Sequence, residues 1–395
     1  MKSAIDLFSG CGGVSCGLSL AGFRVKGAVE IDQKAVDIYL KYPPLSKTKV
    51  IVDDIRKVTG EQILKNAHIT KESIYLLAGC PPCQNFSFEN RENRKKPESE
   101  REELLKEYLR IIQEIYPPFI LMENVPGIAS DFNKNILHRF LDALTDDKKP
   151  KENRYSLYYG VLNAADYGVP QSRKRFVIQG VRSDIADLLD KYGIPFDLPK
   201  PRYAKVAKKG RKPWVTVSEA IGDLPPLLEG HSYEGEEAIS NHRCAALSQK
   251  NLERMQYIRE HGGTRTCLPD DMVLKCHSER KDGTRFLGHK DVYGIMDPDK
   301  PSPTITGGCL FYTKGRFGHY SQNRALSIRE AARIQTFPDD FVFSDNLAES
   351  ALQIGNAVPV KLVEASGKVF ARVITRLKKA LKKENKVGPS SKRNS

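Results

Sequence analysis

The fold is decided near the N-terminus by the stretch Ala4-Ile5-Asp6-Leu7-Phe8-Ser9-Gly10-Cys11-Gly12-Gly13, in which a short apolar run leads into a glycine-rich turn. A helix candidate follows at residues 14–21, and the next apolar run, residues 25–30, ends on Glu30. Glycine lets the backbone approach a bound ligand closely, and the amides at the start of a helix can face that ligand. This pattern predicts the first strand, turn and helix of an α/β sheet, with a ligand at the turn.

Acidic residues at the ends of the next two strands narrow the class of ligand. Glu30 lies twenty residues after Gly10, at a place where a carboxylate can accept both hydroxyls of a ribose. Asp54 ends the third strand and is placed to hold the amino group of an adenine. These residues predict a cofactor that contains adenosine. The turn lacks the strict G-x-G-x-x-G spacing, which argues against NAD.

Short apolar strands alternate with helix candidates over the first 180 residues. The strand candidates are residues 4–8, 25–30, 50–53, 75–78, 119–122, 155–162 and 176–181. The helix candidates are residues 14–21, 32–41, 61–67, 102–116 and 133–144. This alternation is typical of an α/β fold with a doubly wound, mostly parallel sheet.

The pattern changes in the middle of the chain. From residue 183 to about 318 the strands become irregular, and residues 200–212 contain seven Lys or Arg and no acid. This composition predicts a separate, loop-rich domain with a basic face. Helix candidates return at residues 327–334 and 359–380, and the polar, basic segment 382–395 is expected to be disordered.

Composition limits the class of partner and the location. The formal net charge of +14 favours a polyanion such as nucleic acid. No apolar run reaches the ~20 residues of a membrane span, and the N-terminus lacks a secretory signal, so the protein is expected to stay inside the cell.

Cys80 and Cys83 form a Cys-x-x-Cys pair, but a zinc site needs further ligands at a suitable spacing, and none is found.

Three further segments carry candidate catalytic groups. In Gly79-Cys80-Pro81-Pro82-Cys83-Gln84-Asn85-Phe86-Ser87 the prolines restrict the backbone, so that a rigid turn presents the Cys83 thiol at the carboxyl edge of the sheet. Glu123 follows the apolar strand 119–122 and is expected at the same edge. In Gln171-Ser172-Arg173-Lys174-Arg175 the alternate arginines are predicted to point to one side of a strand that begins at Phe176, toward an anion, a polarised carbonyl or solvent.

Taken in order along the chain, these segments resemble the C5-cytosine DNA methyltransferase family. The matching motifs are Asp6-Leu-Phe-Ser-Gly-Cys-Gly-Gly13, Pro82-Cys83-Gln84, Glu123-Asn124-Val125, Gln171-x-Arg173-x-Arg175, Arg329-Glu-Ala-Ala-Arg333-Ile-Gln-Thr-Phe-Pro338 and Gln353-Ile-Gly355-Asn356-Ala-Val-Pro359. They extend over almost the whole chain. The resemblance implies a Rossmann-like, S-adenosylmethionine-dependent methyltransferase fold with a smaller target-recognition domain.

The resemblance also implies the catalytic roles. Cys83 would attack carbon 6 of cytosine, which activates carbon 5 for methylation. Glu123 would contact N3 and the exocyclic amine, and Arg175 would bind O2 of the base. Arg173 would support the site. Members of the family act on a cytosine that has been flipped out of the double helix.

Cofactor and substrate contacts are carried over from the same family. The residues implied for S-adenosylmethionine are Phe8, Gly10, Gly12, Glu30, Ile31, Asp54, Ile55, Leu104, Asn356 and Ala357. The residues implied for the substrate are Gln84, Ser87, Thr304 and Ile305. The charged segment 85–101 resembles a loop that closes over DNA, and the segment 303–308 resembles a short element of the target-recognition domain.

The expected organisation is a catalytic domain at residues 1–182 that is completed by residues 350–381, a target-recognition domain with a hinge at 183–349, and a basic tail at 382–395. The expected partner is double-stranded DNA that contains a specific sequence. No membrane or obligate protein partner is expected, and the protein is expected to be a monomer. A restriction-modification system is the expected biological context. The expected location is the cytoplasm and nucleoid in a prokaryote or the nucleus in a eukaryote.

Two other functions remain open at this stage. A branch of the same family methylates tRNA and usually carries Cys-Phe-Thr, where this sequence has Cys309-Leu310-Phe311. A catalytically silent DNA-binding regulator of the same fold would tend to lose motifs that this chain keeps. A thiol oxidoreductase built on Cys80 and Cys83 would leave Glu123 and both arginines without a role.

Overall fold

The computed structural model describes residues 2–82, 97–235, 239–274 and 292–387. Its main sheet contains β1 (Lys2–Leu7), β2 (Phe23–Glu30), β3 (Lys49–Val52), β4 (Ile74–Gly79), β5 (Phe119–Asn124), β6 (Tyr155–Asn163) and β7 (Lys174–Arg182). The strand order is β3-β2-β1-β4-β5-β7-β6. Strands β1 to β5 are parallel, whereas β7 lies antiparallel between β5 and β6. The predicted α/β fold with a doubly wound, mostly parallel sheet is confirmed.

Helices cover the sheet, and the apolar periodicity predicted the first five of them. They are α1 (Gly13–Leu20), α2 (Gln33–Lys41), α3 (Gly60–Asn66), α4 (Glu98–Ile115), α5 (Lys134–Thr145) and α6 (Ser183–Lys191). Polar side chains cap two of them: Asp32 accepts from the Lys34 amide, and Thr59 forms a capping box with Gln62. In α4 the residues Leu105, Tyr108, Ile111, Ile112 and Ile115 are buried against the sheet. Helix α4 begins four residues before the predicted start, because an acidic first turn extends it.

The remaining elements are short apart from the last helix. They are β8 (Tyr203–Ala204), β9 (Lys212–Pro213), α7 (Val217–Ile221), α8 (Gln249–His261), α9 (Ile328–Ile334), α10 (Leu347–Asn356) and α11 (Val360–Val387). Helix α11 continues beyond residue 382, where the sequence predicted a disordered tail. Its apolar positions remain in register up to Leu377, and the helix then continues through a basic, exposed last part.

The chain divides into two compact units. The sheet unit comprises Met1–Asn163, Lys174–Pro201 and Val360–Ser395, and the second unit comprises Ala164–Arg173 and Arg202–Pro359. Helices α1 and α11 pack tightly within the sheet unit. A Cβ atom added to Gly17 would lie 2.6 Å from the Val360 carbonyl oxygen, and one added to Gly367 would lie 2.6 Å from the Ala21 Cβ. Small residues therefore permit the close approach of these two helices.

Buried ion pairing organises part of the second unit. Arg324 forms a bidentate pair with Glu330, with distances of 2.7 and 2.6 Å, and both side chains are almost fully buried. Glu330 also closes the capping box of α9 by accepting from the Ser327 amide. A buried pair of this kind needs such additional hydrogen bonds to offset desolvation. Among the helices in the described part of the chain, none is long and apolar enough to cross a membrane.

Candidate active site

The glycine-rich turn after β1 is joined directly to the end of β2. The Gly10 amide donates to Oε2 of Glu30 at 2.7 Å, and the amides of Ile31 and Asp32 donate to Oε1, each at 3.0 Å. Phe8 and Gly10 adopt positive φ values of 58° and 51°. Backbone in this left-handed region is favourable for glycine and costly for phenylalanine. The turn is therefore held in a specific shape by the carboxylate of Glu30.

This arrangement fits the ribose of an adenosine-containing cofactor. A carboxylate has about four acceptor positions, and backbone amides in the described chain occupy three of those on Glu30. Oε2 retains room for a further donor such as a ribose hydroxyl. A Cβ added to Gly10 would have no atom within 4 Å, so the turn is open on that side. The neighbouring Ile31 side chain is 65% exposed and provides an apolar surface beside the turn.

The carboxylate of Asp54, which was predicted to hold an adenine, already has a partner in the structure. Strand β3 ends at Val52, and Asp54 follows it as the cap of a short helical turn. Its carboxylate pairs with Arg56, whose backbone amide and Nε each donate to Oδ1 at 3.0 Å. These hydrogen bonds lower the pKa of Asp54. An adenine amino group would have to displace Arg56 from this carboxylate. Ile55 is buried, and Leu104 is half-buried on α4.

A buried polar relay lies beneath the glycine-rich turn, and sequence reasoning gave it no role. Asp6 at the end of β1 is fully buried and accepts from Ser15 Oγ at 2.6 Å. The Tyr39 hydroxyl donates to the same Ser15 oxygen at 2.7 Å. Oδ1 of Asp6 has no hydrogen-bond partner within the described residues. Burial raises the pKa of Asp6 to about 7, although the Ser15 hydrogen bond acts in the opposite direction. An acid inside an otherwise apolar strand was the available signal.

The ends of β4 and β5 are tied to each other by a side chain. Asn124 Nδ2 donates to the carbonyl oxygen of Pro81 at 3.1 Å, and the Asn124 side chain is buried. The Cys80 amide donates to the Leu7 carbonyl at 3.4 Å. Pro81 lies two residues before Cys83, so β5 positions the backbone that leads to this cysteine. Cys83, Gln84 and Ser87 themselves lie outside the described residues, together with most of the charged segment 85–101.

Glu123 and Arg175 form an ion pair across the antiparallel strands β5 and β7. Arg175 Nε lies 2.7 Å from Glu123 Oε1, and their side chains are only 11% and 12% exposed. Arg175 Nη1 also donates to the carbonyl oxygen of Lys174 at 2.8 Å. In such a partly buried setting each charge holds the other in place, which fixes both orientations. The pair thus presents a fixed carboxylate and a fixed guanidinium at the end of β5.

Arg173 contacts a different set of atoms from Arg175. Strand β7 begins at Lys174 rather than at Phe176, and Arg173 precedes it in the second unit. Arg173 is buried and donates to the carbonyl oxygens of Ile305, Gly355 and Ala357. The sequence left an anion, a polarised carbonyl or solvent open as the partner of these arginines, and the partners of Arg173 are backbone carbonyls.

Gln171 belongs to the same buried network in the second unit. Its Oε1 accepts from the Ile305 amide at 2.8 Å, and its Nε2 donates to Gln335 Oε1 at 2.7 Å. The Thr304 hydroxyl donates to the Ser172 carbonyl at 3.1 Å. Ile305 is completely buried, and its amide and carbonyl are bonded to Gln171 and Arg173. Thr304 is half-buried.

The segment that contains Asn356 and Ala357 ends α10 in the second unit. Asn356 is exposed and Ala357 is half-buried. The preceding Gly355 is required by packing, because an added Cβ would lie 2.1 Å from the carbonyl carbon of Thr306. The glycine in the Gln353-to-Pro359 motif therefore allows two backbone segments to touch.

Comparisons with known proteins agree with this architecture. A family model of the C-5 cytosine-specific DNA methylases matches residues 2–372. The type II methylase M.HgiDII of Herpetosiphon aurantiacus is 33% identical over 389 residues, which are 98% of this chain and 98% of that protein. The type II methyltransferase M1.HphI of Haemophilus parahaemolyticus is 32% identical over 371 residues, covering 94% and 87% of the two chains.

Two solved structures resemble this chain along nearly its whole length. A prophage-encoded protein of E. coli that is assigned as a DNA modification methyltransferase aligns with a TM-score of 0.62 at 25% identity, covering 95% of this chain and all of that one. The DNMT2 protein of Spodoptera frugiperda shares the fold, with a TM-score of 0.55 at 17% identity over 95% and 99% of the chains. The protein belongs to the C-5 cytosine-specific DNA methylase family and is an enzyme of that family, a DNA (cytosine-5-)-methyltransferase.

Proposed function

We propose that this enzyme methylates carbon 5 of a cytosine that is flipped out of duplex DNA at a specific sequence, through a covalent adduct with Cys83. The observation that carries the proposal is the arrangement at the end of β5. There the Glu123–Arg175 pair stands next to Asn124, which holds the backbone two residues before Cys83. A nucleophile, a carboxylate and a guanidinium are the groups that this chemistry needs.

The proposed cofactor is S-adenosylmethionine, whose sulfonium supplies an electrophilic methyl group. Glu30 would accept a ribose hydroxyl on Oε2, while its other acceptor positions keep the glycine-rich turn in shape. Ile31 would pack against the adenine. Phe8, Gly10, Gly12, Asp54, Ile55, Leu104, Asn356 and Ala357 complete the proposed cofactor set. For Asp54 the proposal requires that Arg56 be displaced.

The reaction needs a covalent step because carbon 5 of cytosine is a weak nucleophile. The Cys83 thiolate would form a bond between its sulfur and carbon 6, and the electron pair of the 5,6 double bond would become available at carbon 5. Carbon 5 would then form a bond to the methyl carbon as the sulfonium leaves as a neutral thioether. Loss of the carbon 5 proton to a base would re-form the double bond and expel the Cys83 thiolate.

Glu123 and Arg175 would stabilise the ring during this addition. Negative charge develops on the base as sulfur adds, and Glu123 would contact N3 and the exocyclic amine of the ring as it does so. Arg175 would bind O2 of the base. Because the two side chains already hold each other at 2.7 Å, little reorganisation would be required when the base arrives.

The second unit is proposed to recognise the DNA sequence, with Gln84, Ser87, Thr304 and Ile305 as further substrate contacts. The relatives M.HgiDII and M1.HphI are named as type II enzymes. By that likeness we propose that this chain is the methyltransferase of a restriction-modification system and that it acts as a monomer.

The test is methyl transfer to duplex DNA by the purified enzyme, followed by bisulfite sequencing. Protected cytosines in one short recurring sequence are expected. Cys83→Ser should abolish transfer and retain DNA binding, and Glu30→Ala should weaken cofactor binding. Methylation of tRNA but not of DNA would show that the substrate is RNA rather than duplex DNA. Turnover by Cys83→Ser would refute the covalent mechanism.

A further inference from the structure

A loop of the second unit, residues 205–212, carries an unusual concentration of positive charge. Its five cationic side chains are all exposed: Lys205, Lys208, Lys209, Arg211 and Lys212. The loop contains no acid. None of the five forms an ion pair with any residue that the structure describes. We call residues 205–212 the basic loop.

The base of the basic loop is a small, well-bonded sheet. Strands β8 and β9 pair in parallel, and the Lys212 amide donates to the Arg202 carbonyl at 3.0 Å. The Trp214 amide donates to the Ala204 carbonyl at 2.9 Å. At the tip, Lys208 and Arg211 exchange backbone hydrogen bonds of 3.3 and 2.8 Å around Gly210, whose φ is +78°. The turn is therefore closed, and its cations project from a defined backbone.

The same base is anchored on the segment that leads to Arg173. Asp166 accepts twice, from the Arg202 amide at 2.9 Å and from Trp214 Nε1 at 2.8 Å. The Tyr203 ring lies against Gly168, where an added Cβ would be 2.7 Å away. Arg173 lies five positions after Gly168 and donates to three carbonyl oxygens. The basic loop is thus built on the segment 164–173 of the same unit.

We propose that the basic loop binds the phosphate backbone of the DNA duplex. This inference rests on the proposed function. Five like charges within eight residues repel one another, and a polyanion relieves that repulsion. Lysine and arginine contacts to phosphate are independent of base sequence, so the basic loop supplies affinity and position and leaves the methylated sequence unchanged.

A second cationic group, on helix α11, provides a matched comparison. Lys379, Lys382 and Lys383 are exposed there as well. On this helix the charge is partly balanced, because Glu384 and Glu364 pair with Lys191 and Lys368. Helix α11 therefore carries acidic residues among its lysines, whereas the basic loop carries none.

The experiment compares two triple variants that lose the same charge. Lys208→Gln/Lys209→Gln/Arg211→Gln removes the tip of the basic loop, and Lys379→Gln/Lys382→Gln/Lys383→Gln is the control on α11. The dissociation constant for duplex DNA is measured by fluorescence anisotropy at several NaCl concentrations. The logarithmic salt slope should fall by roughly 0.9 for each phosphate contact that is lost. We expect a decrease of about 2 to 3 in the loop variant, with at least tenfold weaker binding at ~0.1 M salt, and little change in the control.

Trp214 gives a second readout, because it is the sole tryptophan of the chain and lies at the base of the loop. Duplex DNA should change its fluorescence in the wild type and in the α11 control but not in the loop variant. Equal weakening in both variants, or an unchanged slope in the loop variant, would overturn the inference while methylation by the wild type upholds the proposed function. A wild type that neither binds nor methylates duplex DNA would overturn both.

Discussion

Asn124 donates a hydrogen bond from Nδ2 to the carbonyl oxygen of Pro81 at 3.1 Å, which joins the end of β5 to the turn before Cys83. The Oδ1 atom of the same side chain accepts from the Val125 amide at 2.9 Å. Asn124 therefore fixes two backbone segments at once, one of which leads to the proposed nucleophile.

The first prediction concerns this positioning contact. Asn124→Ala should lower kcat by about 10- to 100-fold, in line with the ~1–3 kcal/mol that a buried group loses with its hydrogen bond. KM for DNA should change little. The control is Asn133→Ala, because Asn133 is also buried and donates to the Gly127 carbonyl at 2.8 Å. Steady-state methylation assays measure kcat and KM of both variants. An equal loss of kcat in the two would mean that Asn124 only stabilises the fold.

The Glu123–Arg175 pair leads to a second prediction. Glu123→Gln removes the carboxylate that is proposed to contact N3 and the exocyclic amine of the base, so kcat should fall by about 10²- to 10³-fold. Arg182 and Asp184 form a similar pair of 2.7 Å at the other end of β7. Asp184→Asn should therefore leave kcat within about twofold of the wild type. Single-turnover methylation measures both variants. A near-normal rate for Glu123→Gln would show that the pair has only a structural role.

A third prediction separates Arg173 from Arg175. Arg173→Met leaves the Ile305 and Gly355 carbonyl oxygens without their donor and removes one of the two donors to the Ala357 carbonyl, so the free energy of unfolding should fall by about 2–4 kcal/mol. Lys174→Met is the control, because Lys174 is exposed and adjacent. Urea unfolding measures the difference. If Arg173→Met proved as stable as Lys174→Met, the carbonyl contacts would contribute little and a direct catalytic role for Arg173 would regain support.

The fourth prediction follows from the buried carboxyl of Asp6. Its pKa is raised from 3.8 to about 7 by burial, and Glu30, Tyr39 and Tyr108 face it from β2, α2 and α4. The folded state therefore holds a proton that the unfolded state releases above pH ~4. This contribution to stability is complete at low pH and is lost as the pH rises through about 7.

Asp6→Asn removes this titration and keeps the shape of the protonated acid. From pH 5 to pH 8 the stability of the wild type relative to the variant should decrease by roughly 3 kcal/mol. Urea unfolding of both proteins across this range measures the change. Two parallel curves would mean that Asp6 is ionised in the folded enzyme, as it would be if water reached Oδ1.

The class of fold, and the turn that is proposed to hold the cofactor, could be predicted from the amino-acid sequence. Apolar runs and helical periodicity depend on neighbours within a few residues, so strands β1 to β5 lie where the pattern predicted them. The glycine-rich turn and Glu30 were found for the same reason. Each follows the end of a strand, and a parallel sheet gathers such ends along one edge.

Other features were decided only by the tertiary structure. The insertion of β7 between β5 and β6 brings Arg175 to Glu123, and this pairing joins residues 52 positions apart. Arg173 and Arg175 look equivalent in the sequence, yet one binds carbonyls that lie 132 to 184 residues away and the other a carboxylate. The pairing of the Asp54 carboxylate with Arg56 and the burial of Asp6 likewise depend on packing. Local periodicity sets backbone conformation, whereas the partner of a polar side chain depends on which distant atoms folding brings within hydrogen-bond distance.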